Sequence, residues 1–530
     1  MARIAAIDIG SNAIRLRIVD VDPPAAGPGG PRFYAFRDVF TDRAAVRLGH
    51  DVFTRGELEP GVIAAACDAL RRFRTSMDDA KVDRYRAVAT SAAREATNGD
   101  LLVERAARES GVHVEIIEGV EEARLVQLAV AERVSMGDRT ALLVDIGGGS
   151  TELTLLRGKS ATFSRSLPVG TVRLIESFLE GSGKVDRAHR HLLDEYVDRA
   201  SGDALREIKA LAEGKIDLLI GTGGNIETLA DLCPLPSAFP GGRAIEVASA
   251  NRLLEELCRR SVDERAATYN LRPDRADTII PAATVLCHVA AALGIDSINA
   301  PGVGLKEGVL VDLARAHFFP PDFGVEAAAV TGACLRLGRR YQFDEQHGTV
   351  VARFATRLFD DLVARHQLGP RDRILLHAAG LLHDVGDFVR YEGHHKHTYY
   401  IIMHSDVMGL TPIEREVVAN VARYHRKSAP SVEHDNFKAL TREARGKVKA
   451  LASILRIADA LDREHRTKVA DVFGRIEGDT LVLGVQGGED RSLEEWTVTA
   501  KSGMLREALG LGVRIVDAAG GAPASTPPRA

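Results

Sequence analysis

Two short stretches of the chain combine residue types suited to phosphate chemistry. In IAAIDIGSNAIRLRIVD, Asp8 precedes Gly10, Ser11 and Asn12; in ALLVDIGGGSTELTLLRGK, Asp145 precedes Gly147, Gly148, Gly149, Ser150 and Thr151. Glycines in a tight turn let backbone N–H groups come close to an anion, and hydroxyl or amide side chains add donors. An aspartate at the end of the preceding strand repels phosphate unless it holds a divalent cation or orients a water. Taken singly, each stretch is also what an ordinary β-hairpin looks like. Aligned, they place Asp8 on Asp145, Ile9 on Ile146 and Gly10 on Gly147, and it is the duplication that points to chemistry. Two such turns, one per domain, would clamp a phosphate chain from both sides. Neither GxxxxGK[ST] nor GxGxxG occurs, so the common competing phosphate folds lose support.

The elements that must carry these turns follow from periodicity. Residues 4–20 predict strand, turn, strand, followed by the loop DPPAAGPGGPRF, and helices then alternate with short strands in an α/β domain over 1–133. Residues 140–157 restart the pattern, and KIDLLIGTGGNIETLADL adds a buried strand, a glycine turn and a helix start, giving a second α/β domain over 134–318. Long amphipathic segments with little strand character predict a helical domain over 325–472. Strand, strand, helix, strand over 473–517 predicts a small α+β piece, and AAGGAPASTPPRA at 518–530 is expected to be a disordered tail.

Composition narrows the function classes. With 530 residues, 45% of them hydrophobic, the chain is long enough for several buried cores. The net charge of −5 comes from acids and bases mixed along the whole length, which predicts no nucleic-acid arm and no polybasic membrane anchor. A polyanionic substrate must therefore meet a local basic channel. Five scattered cysteines without CxxC spacing predict reduced thiols in a cytoplasmic protein. No stretch of about 18 uninterrupted apolar residues is seen, so no membrane span is expected.

The paired turns resemble the phosphate loops of the acetate and sugar kinase, heat-shock ATPase and actin superfamily. That resemblance implies two actin-like (ribonuclease H-like) domains facing a cleft. Within it, IDIGSNAIRL, ATSAAREA, IIEGVEEARL, VDIGGGSTEL, SLPVGTVRL, GTGGN and GLKEGVL resemble, in order over residues 4–310, the exopolyphosphatase and guanosine pentaphosphate phosphohydrolase family. By that resemblance Glu122, the second Glu of GVEEAR, is implied as the carboxylate that activates water, with Glu121 the choice if the register shifts by one. Arg94 and Arg173 are implied to steady phosphates, and Ser11, Asn12, Gly147, Gly148, Gly149, Ser150, Thr151 and Glu152 fall in the loops. Asp8 and Asp145 would hold Mg²⁺. The competing readings are plain: an acidic pair at a helix start favours the helix dipole, and Arg94 is also what a solvated helix-start arginine looks like. GTGGN is expected to be a glycine turn within reach of ligand.

Residues 325–470 carry His347, then His383-Asp384, then Asp459 on successive predicted helices. This order resembles the HD phosphohydrolase metal site, a module that the long form of the family carries. Two imidazoles and two carboxylates suit Mg²⁺, Mn²⁺ or another divalent metal better than a structural zinc. His397 and His425 are the candidates to extend the site to a second ion. Asp387 departs from the pattern, standing where many such catalytic sites have lysine. The alternative is a vestigial module in which buried His and Asp pair with each other and the domain guides polyphosphate.

The function implied is release of orthophosphate from polyphosphate ends, with guanosine pentaphosphate as the alternative substrate. A kinase of the same superfamily and a non-enzymatic alarmone-binding regulator are the further alternatives. Quaternary state is left open, with a homodimer among the options.

Overall fold

The first strand, Ile4 to Ile9, is apolar on both faces apart from Asp8, and a strand of that kind belongs in the middle of a sheet covered on both sides. In the computed structural model it does. Residues 1–22, 34–158, 160–179, 183–213, 215–236, 242–318, 323–487 and 492–517 are described. The segment 23–33, most of the predicted proline-glycine loop, and the predicted tail at 518–530 lie outside them. The chain forms two units, Met1–Pro321 and Asp322–Ala530.

In the first unit, β1 (Ala2–Ile9), β2 (Ile14–Val21), β3 (Phe36–Ala44), β4 (Arg84–Ala89) and β5 (Val114–Ile116) form a sheet in the order β3-β2-β1-β4-β5. A second sheet holds β6 (Thr140–Ile146), β7 (Thr151–Arg157), β8 (Ser160–Leu167), β9 (Leu218–Thr222), β10 (Pro234–Pro236), β11 (Arg243–Glu246) and β12 (Ser297–Ala300). Its order, read from one edge, is β8-β7-β6-β9-β12-β11-β10. The run β8-β7-β6-β9-β12 repeats the first sheet strand for strand, with antiparallel hairpins on one side and parallel neighbours on the other. The duplicated motif is thus one corner of a duplicated sheet.

Helices cover the sheets with faces spaced three and four residues apart. On Pro60–Asp79 the buried face is Ile63, Ala66, Leu70, Phe73 and Met77. Pro273–Leu293 is apolar enough to cross a membrane by length and composition, with mean hydropathy 1.6 in its best window, but 72% of that window is buried in the protein, where it forms the core of the second half. The helix Leu305–Phe318, placed by periodicity in the second α/β domain, packs on β1 and on Gly119–Ala131 of the first half. Gly308 makes that approach possible, because a Cβ there would stand 2.0 Å from the Leu125 carbonyl oxygen.

The second unit is built of helices and a three-stranded sheet of β13 (Val469–Glu477), β14 (Thr480–Gly487) and β15 (Gly512–Asp517) in the order β13-β14-β15. Two helices, Ser492–Lys501 and Gly503–Leu509, stand where one was expected. Leu481, Leu483 and Val485 of the sheet share one apolar core with Phe354, Leu455 and the other helical residues.

Candidate active site

The two hairpin tips close the same way. Gly10 N–H donates to the Ala13 carbonyl at 3.1 Å, and Gly147 N–H donates to the Ser150 carbonyl at 3.0 Å. Both tips line one cavity of about 640 Å³, contributing Asp8, Ser11, Asn12, Asp145, Gly147, Gly148 and Ser150. The start of the helix Thr171–Phe178 takes the carbonyls of the second turn. Thr171 N–H donates to Gly147 at 3.0 Å, and Val172 and Arg173 N–H donate to Gly148 at 2.7 and 3.1 Å. The negative ends of these peptide groups are thereby occupied inside the protein instead of facing an anion. Gly170 permits the contact, since a Cβ there would sit 2.2 Å from the Gly149 backbone.

Three carboxylates converge beside the tips. Asp145 and Glu152 are register partners across β6 and β7. Glu122 comes from the first turn of Gly119–Ala131, where the helix dipole favours negative charge. Each of the three offers an oxygen within 4.8 Å of the other two, and all three are buried. Asp145 Oδ1 accepts from Thr222 at 2.7 Å, and Glu152 Oε1 accepts from Ser166 at 2.8 Å. The Oε2 atoms of Glu122 and Glu152 have no hydrogen-bond partner among the described residues.

Burial is the largest influence on all three. It pushes Asp145 up to about 6 against the Thr222 hydrogen bond, with some help from the Asp8 charge. Burial and the Asp145 charge push Glu152 up to about 7. Burial, then the Glu152 charge, holds Glu122 well above the usual carboxylate range. Such a group needs either protons or a cation. Its donors are all oxygen, which fits a hard divalent ion.

Glu121 points elsewhere. Its carboxylate accepts from Arg124 Nε at 2.6 Å and from Arg86 at 3.0 Å, and despite burial these arginines hold it below its ordinary value. Asp8 is joined to Arg15 at 2.9 Å and lines the same cavity as Asp145, outside the group of three converging carboxylates.

Other implied residues serve the turns. Arg94 Nη1 donates to the Ile117 carbonyl at 2.6 Å and stands 3.9 Å from Glu122 Oε2. Arg173 does not line the cavity: it donates to the Gly149 carbonyl at 2.8 Å, binds both oxygens of Glu95 at 2.6 Å and lies over the Phe53 ring. Thr151 donates to the Val169 carbonyl at 2.8 Å, and Gly149 packs against Ser91 and Phe53, so neither lines the cavity. GTGGN does line it, through Gly223, Gly224 and Asn225.

Sequence reasoning missed the cavity's cations: Arg15, Arg43, Arg272, Arg275 and Lys306. Arg275 donates to Asn225 Oδ1 at 2.9 Å, and burial, then the charges of Arg15 and Arg272, push it down to about 10. Arg43 pairs with Asp274 at 2.7 Å, while its buried Nε has no partner among the described residues. Cations crowded in this way gain from an anion. Signals were present for some of them: Arg15 and Lys306 lie inside the quoted stretches IDIGSNAIRL and GLKEGVL, and Arg272 and Arg275 inside LRPDR at a helix start; Arg43, on a largely exposed strand, had none.

The model of the Ppx/GppA phosphatase family matches residues 29–317. The chain belongs to that family. A second model, Ppx/GppA phosphatase domain III, matches residues 331–506. Among curated relatives, the guanosine-5′-triphosphate,3′-diphosphate pyrophosphatase of Photobacterium profundum is 27% identical over 470 residues, 87% of each chain. The protein of the same name from Aeromonas hydrophila is 27% identical over 86% of each chain. Among solved structures, an exopolyphosphatase from Cytophaga hutchinsonii is 28% identical with a TM-score of 0.53, covering 59% of this chain and 98% of that one.

In the second unit of this Ppx/GppA family member, five of the six expected metal-type residues meet. His347 lies on Glu345–Asp361, His383 and Asp384 follow Pro370–Leu382, His425 follows Pro412–Arg423, and Asp459 lies on Arg442–Ala460. His347 Nε2 and His383 Nε2 are 3.1 Å apart, and both approach Asp384 and Asp459. His397 does not join them. His394, one helical turn earlier on His394–Met403, does, with Nε2 3.1 Å from Asp384 Oδ1 and 3.2 Å from His425 Nε2. Asp387 turns to the other ring nitrogen of His394, 2.5 Å away.

Proposed function

We propose that this chain is an exopolyphosphatase, hydrolysing terminal phosphoanhydride bonds of inorganic polyphosphate to release orthophosphate. The observation that carries this reading is Glu122 Oε2, a buried carboxylate oxygen without a hydrogen-bond partner among the described residues, in a cavity also lined by Arg15, Arg43, Arg272, Arg275 and Lys306. Arg43, Arg272, Arg275 and Lys306 bind the polyanion, and the glycine turns lie against its end. Asp145 and Glu152 would hold a divalent ion, for which Mg²⁺ suits the all-oxygen donors, and such an ion would supply positive charge against the phosphoryl oxygens. Glu122 takes a proton from water as the water oxygen bonds to the terminal phosphorus and the bridging P–O bond breaks. The shortened chain leaves with the bond electrons, and the added oxygen departs in orthophosphate. A carboxylate held well above its ordinary range is a better base near neutral pH than an exposed one.

The same reading takes the two repeated halves as actin-like domains facing a cleft, the second unit's helices as an HD-type domain, and the protein as cytoplasmic, in keeping with its free cysteines. A second substrate, guanosine pentaphosphate cleaved at its 5′-terminal phosphate, is favoured by the names of the curated relatives matched over most of the chain. The test is phosphate release from long polyphosphate and from guanosine pentaphosphate, side by side and with no acceptor added. Release from polyphosphate is expected. Release from guanosine pentaphosphate alone would reverse the order of substrates, and release only on adding an acceptor would identify a kinase.

A further inference from the structure

One acid touches two of the cavity's cations without lining the cavity itself. Asp274 Oδ2 stands 2.7 Å from Arg43 Nη2, and its Oδ1 stands 3.7 Å from Arg272 Nε. Arg43 and Arg272 line the cavity and Asp274 does not. Arg43 comes from β3 of the first sheet, whereas Arg272 and Asp274 flank Pro273 at the start of Pro273–Leu293, a core helix of the second half. In the first turn of that helix the dipole favours a negative charge. The carboxylate meets two arginines as an oxyanion would, but from behind the wall.

Positive charge is in surplus around it. Arg43 is the register partner of Arg15 across β2 and β3. Burial pushes the Arg43 guanidinium below its ordinary value; the Asp274 charge opposes this, and the charges of Arg272, Arg15 and Arg47 add to it. Arg43 Nε is buried and has no hydrogen-bond partner among the described residues, so Asp274 does not exhaust its donors. A carboxylate so placed has two opposed effects on an anion in the cavity. It steadies a guanidinium, which spares the anion the cost of ordering one side chain, roughly two- to tenfold in affinity. Its charge also repels the anion: at an effective dielectric near 20, a unit charge about 7 Å from another shifts affinity by roughly fiftyfold. The paired side chains are only 22% and 21% exposed, so salt screens the charge little. Repulsion is the larger effect.

We propose that Asp274 is an internal competitor for the substrate: by occupying Arg43 and Arg272 it limits how tightly the cavity holds phosphate, so that orthophosphate and the shortened chain leave after each cleavage. The inference rests on the reading of this cavity as a polyanion site. It makes a carboxylate, and not only the arginines, a determinant of affinity, and it gives that residue the opposite sign.

The test titrates the full chain, with Mg²⁺ present, with a methylene-bridged tripolyphosphate, which binds without being cleaved, and with orthophosphate, reading both by calorimetry. Asp274→Asn should bind both ligands about tenfold or more tightly than the unmodified chain, and in steady-state kinetics should show a lower KM and stronger inhibition by orthophosphate. Arg43→Ala should bind more weakly, and adding Asp274→Asn to it should return much less than the tenfold gain, because the carboxylate's nearer partner is gone. Asp274→Glu, which keeps the charge, should bind like the unmodified chain. Without ligand, Asp274→Asn should melt lower, and orthophosphate should raise its Tm by more than that of the unmodified chain. Unchanged or weakened binding by Asp274→Asn, or an equal gain with and without Arg43, would overturn the proposal. No binding of the analogue by the unmodified chain would sink the polyanion reading and this inference together, whereas tighter binding by Asp274→Asn in a chain that releases no phosphate would remove the hydrolase reading and leave the competitor standing. Should the Asn variant not fold, Asp274→Ser deletes the same charge and carries the same expectation.

Discussion

Glu152 stands opposite Asp145 in the second hairpin, at the position where the first hairpin sets Arg15 opposite Asp8. The repeat is symmetric in backbone and opposite in charge. One tip carries an ion pair and the other two buried acids, and the proposed cation site belongs to the second alone.

Asp145→Asn should therefore raise the Mg²⁺ concentration for half-maximal phosphate release by about tenfold or more, because it removes a metal donor. Asp8→Asn should shift it far less, since that carboxylate is already engaged by Arg15. Equal shifts in the two Mg²⁺ titrations would restore the symmetric clamp.

The buried acids also set a pH dependence of stability. Glu152 titrates at about 7 in the folded protein and near 4.3 when unfolded. Between those values the folded state holds the extra proton, so the contribution of Glu152 to the stability of the metal-free first unit falls as pH rises from about 4 to 7 and is level above. Glu152→Gln should recover roughly 2–4 kcal/mol at pH 8 and nothing at pH 4, read from melts in the presence of chelator. Divalent ion should stabilise more at pH 8 than at pH 5. A Glu152→Gln variant no more stable than the unmodified chain at pH 8 in chelator would contradict this.

Glu122→Gln should lower turnover by at least about a hundredfold with KM within a few-fold, because it removes the proton acceptor and leaves the arginines in place. Glu121→Gln should keep most of kcat and instead cost about 1–3 kcal/mol of stability, through loss of charge-assisted hydrogen bonds to Arg124 and Arg86. Steady-state kinetics and urea melts on both variants distinguish the two roles.

Arg275→Ala should raise KM for polyphosphate several-fold with a smaller effect on kcat. It should also flatten the dependence of KM on salt, since a cation facing the anion is gone. Unchanged KM across ionic strengths would remove Arg275 from the substrate site.

Strands, turns and the repeat were legible because hydrophobic periodicity and glycine spacing are local. Glu122 was chosen over Glu121 only through the register of a resembled motif; periodicity could not make the choice, because adjacent residues on a helix face different ways and packing decides which is buried near Glu152. His394 and His397 posed the same difficulty: three residues apart, they share a helix face, and the residue that reaches Asp384 depends on where the helix begins, at Gly393 in its left-handed conformation. The arginines were missed for a different reason. Arg43 and Arg275 are 232 positions apart (275 − 43) and become neighbours in the cavity only once both halves have folded.

The return of Leu305–Phe318 onto β1 and the Glu122 helix has a temporal consequence. A chain emerging from the ribosome can complete the first sheet's hydrogen bonds once β5 is out, yet Leu305, Val309 and Leu310, which close the core over Leu125 and Val126, are made almost two hundred residues later. Until then the helix that bears Glu122 lies on an unfinished core. A nascent chain stalled before residue 305 would hold both turns while the proposed base still lay on that unfinished core, so on this reading activity would begin near the end of synthesis of the first unit.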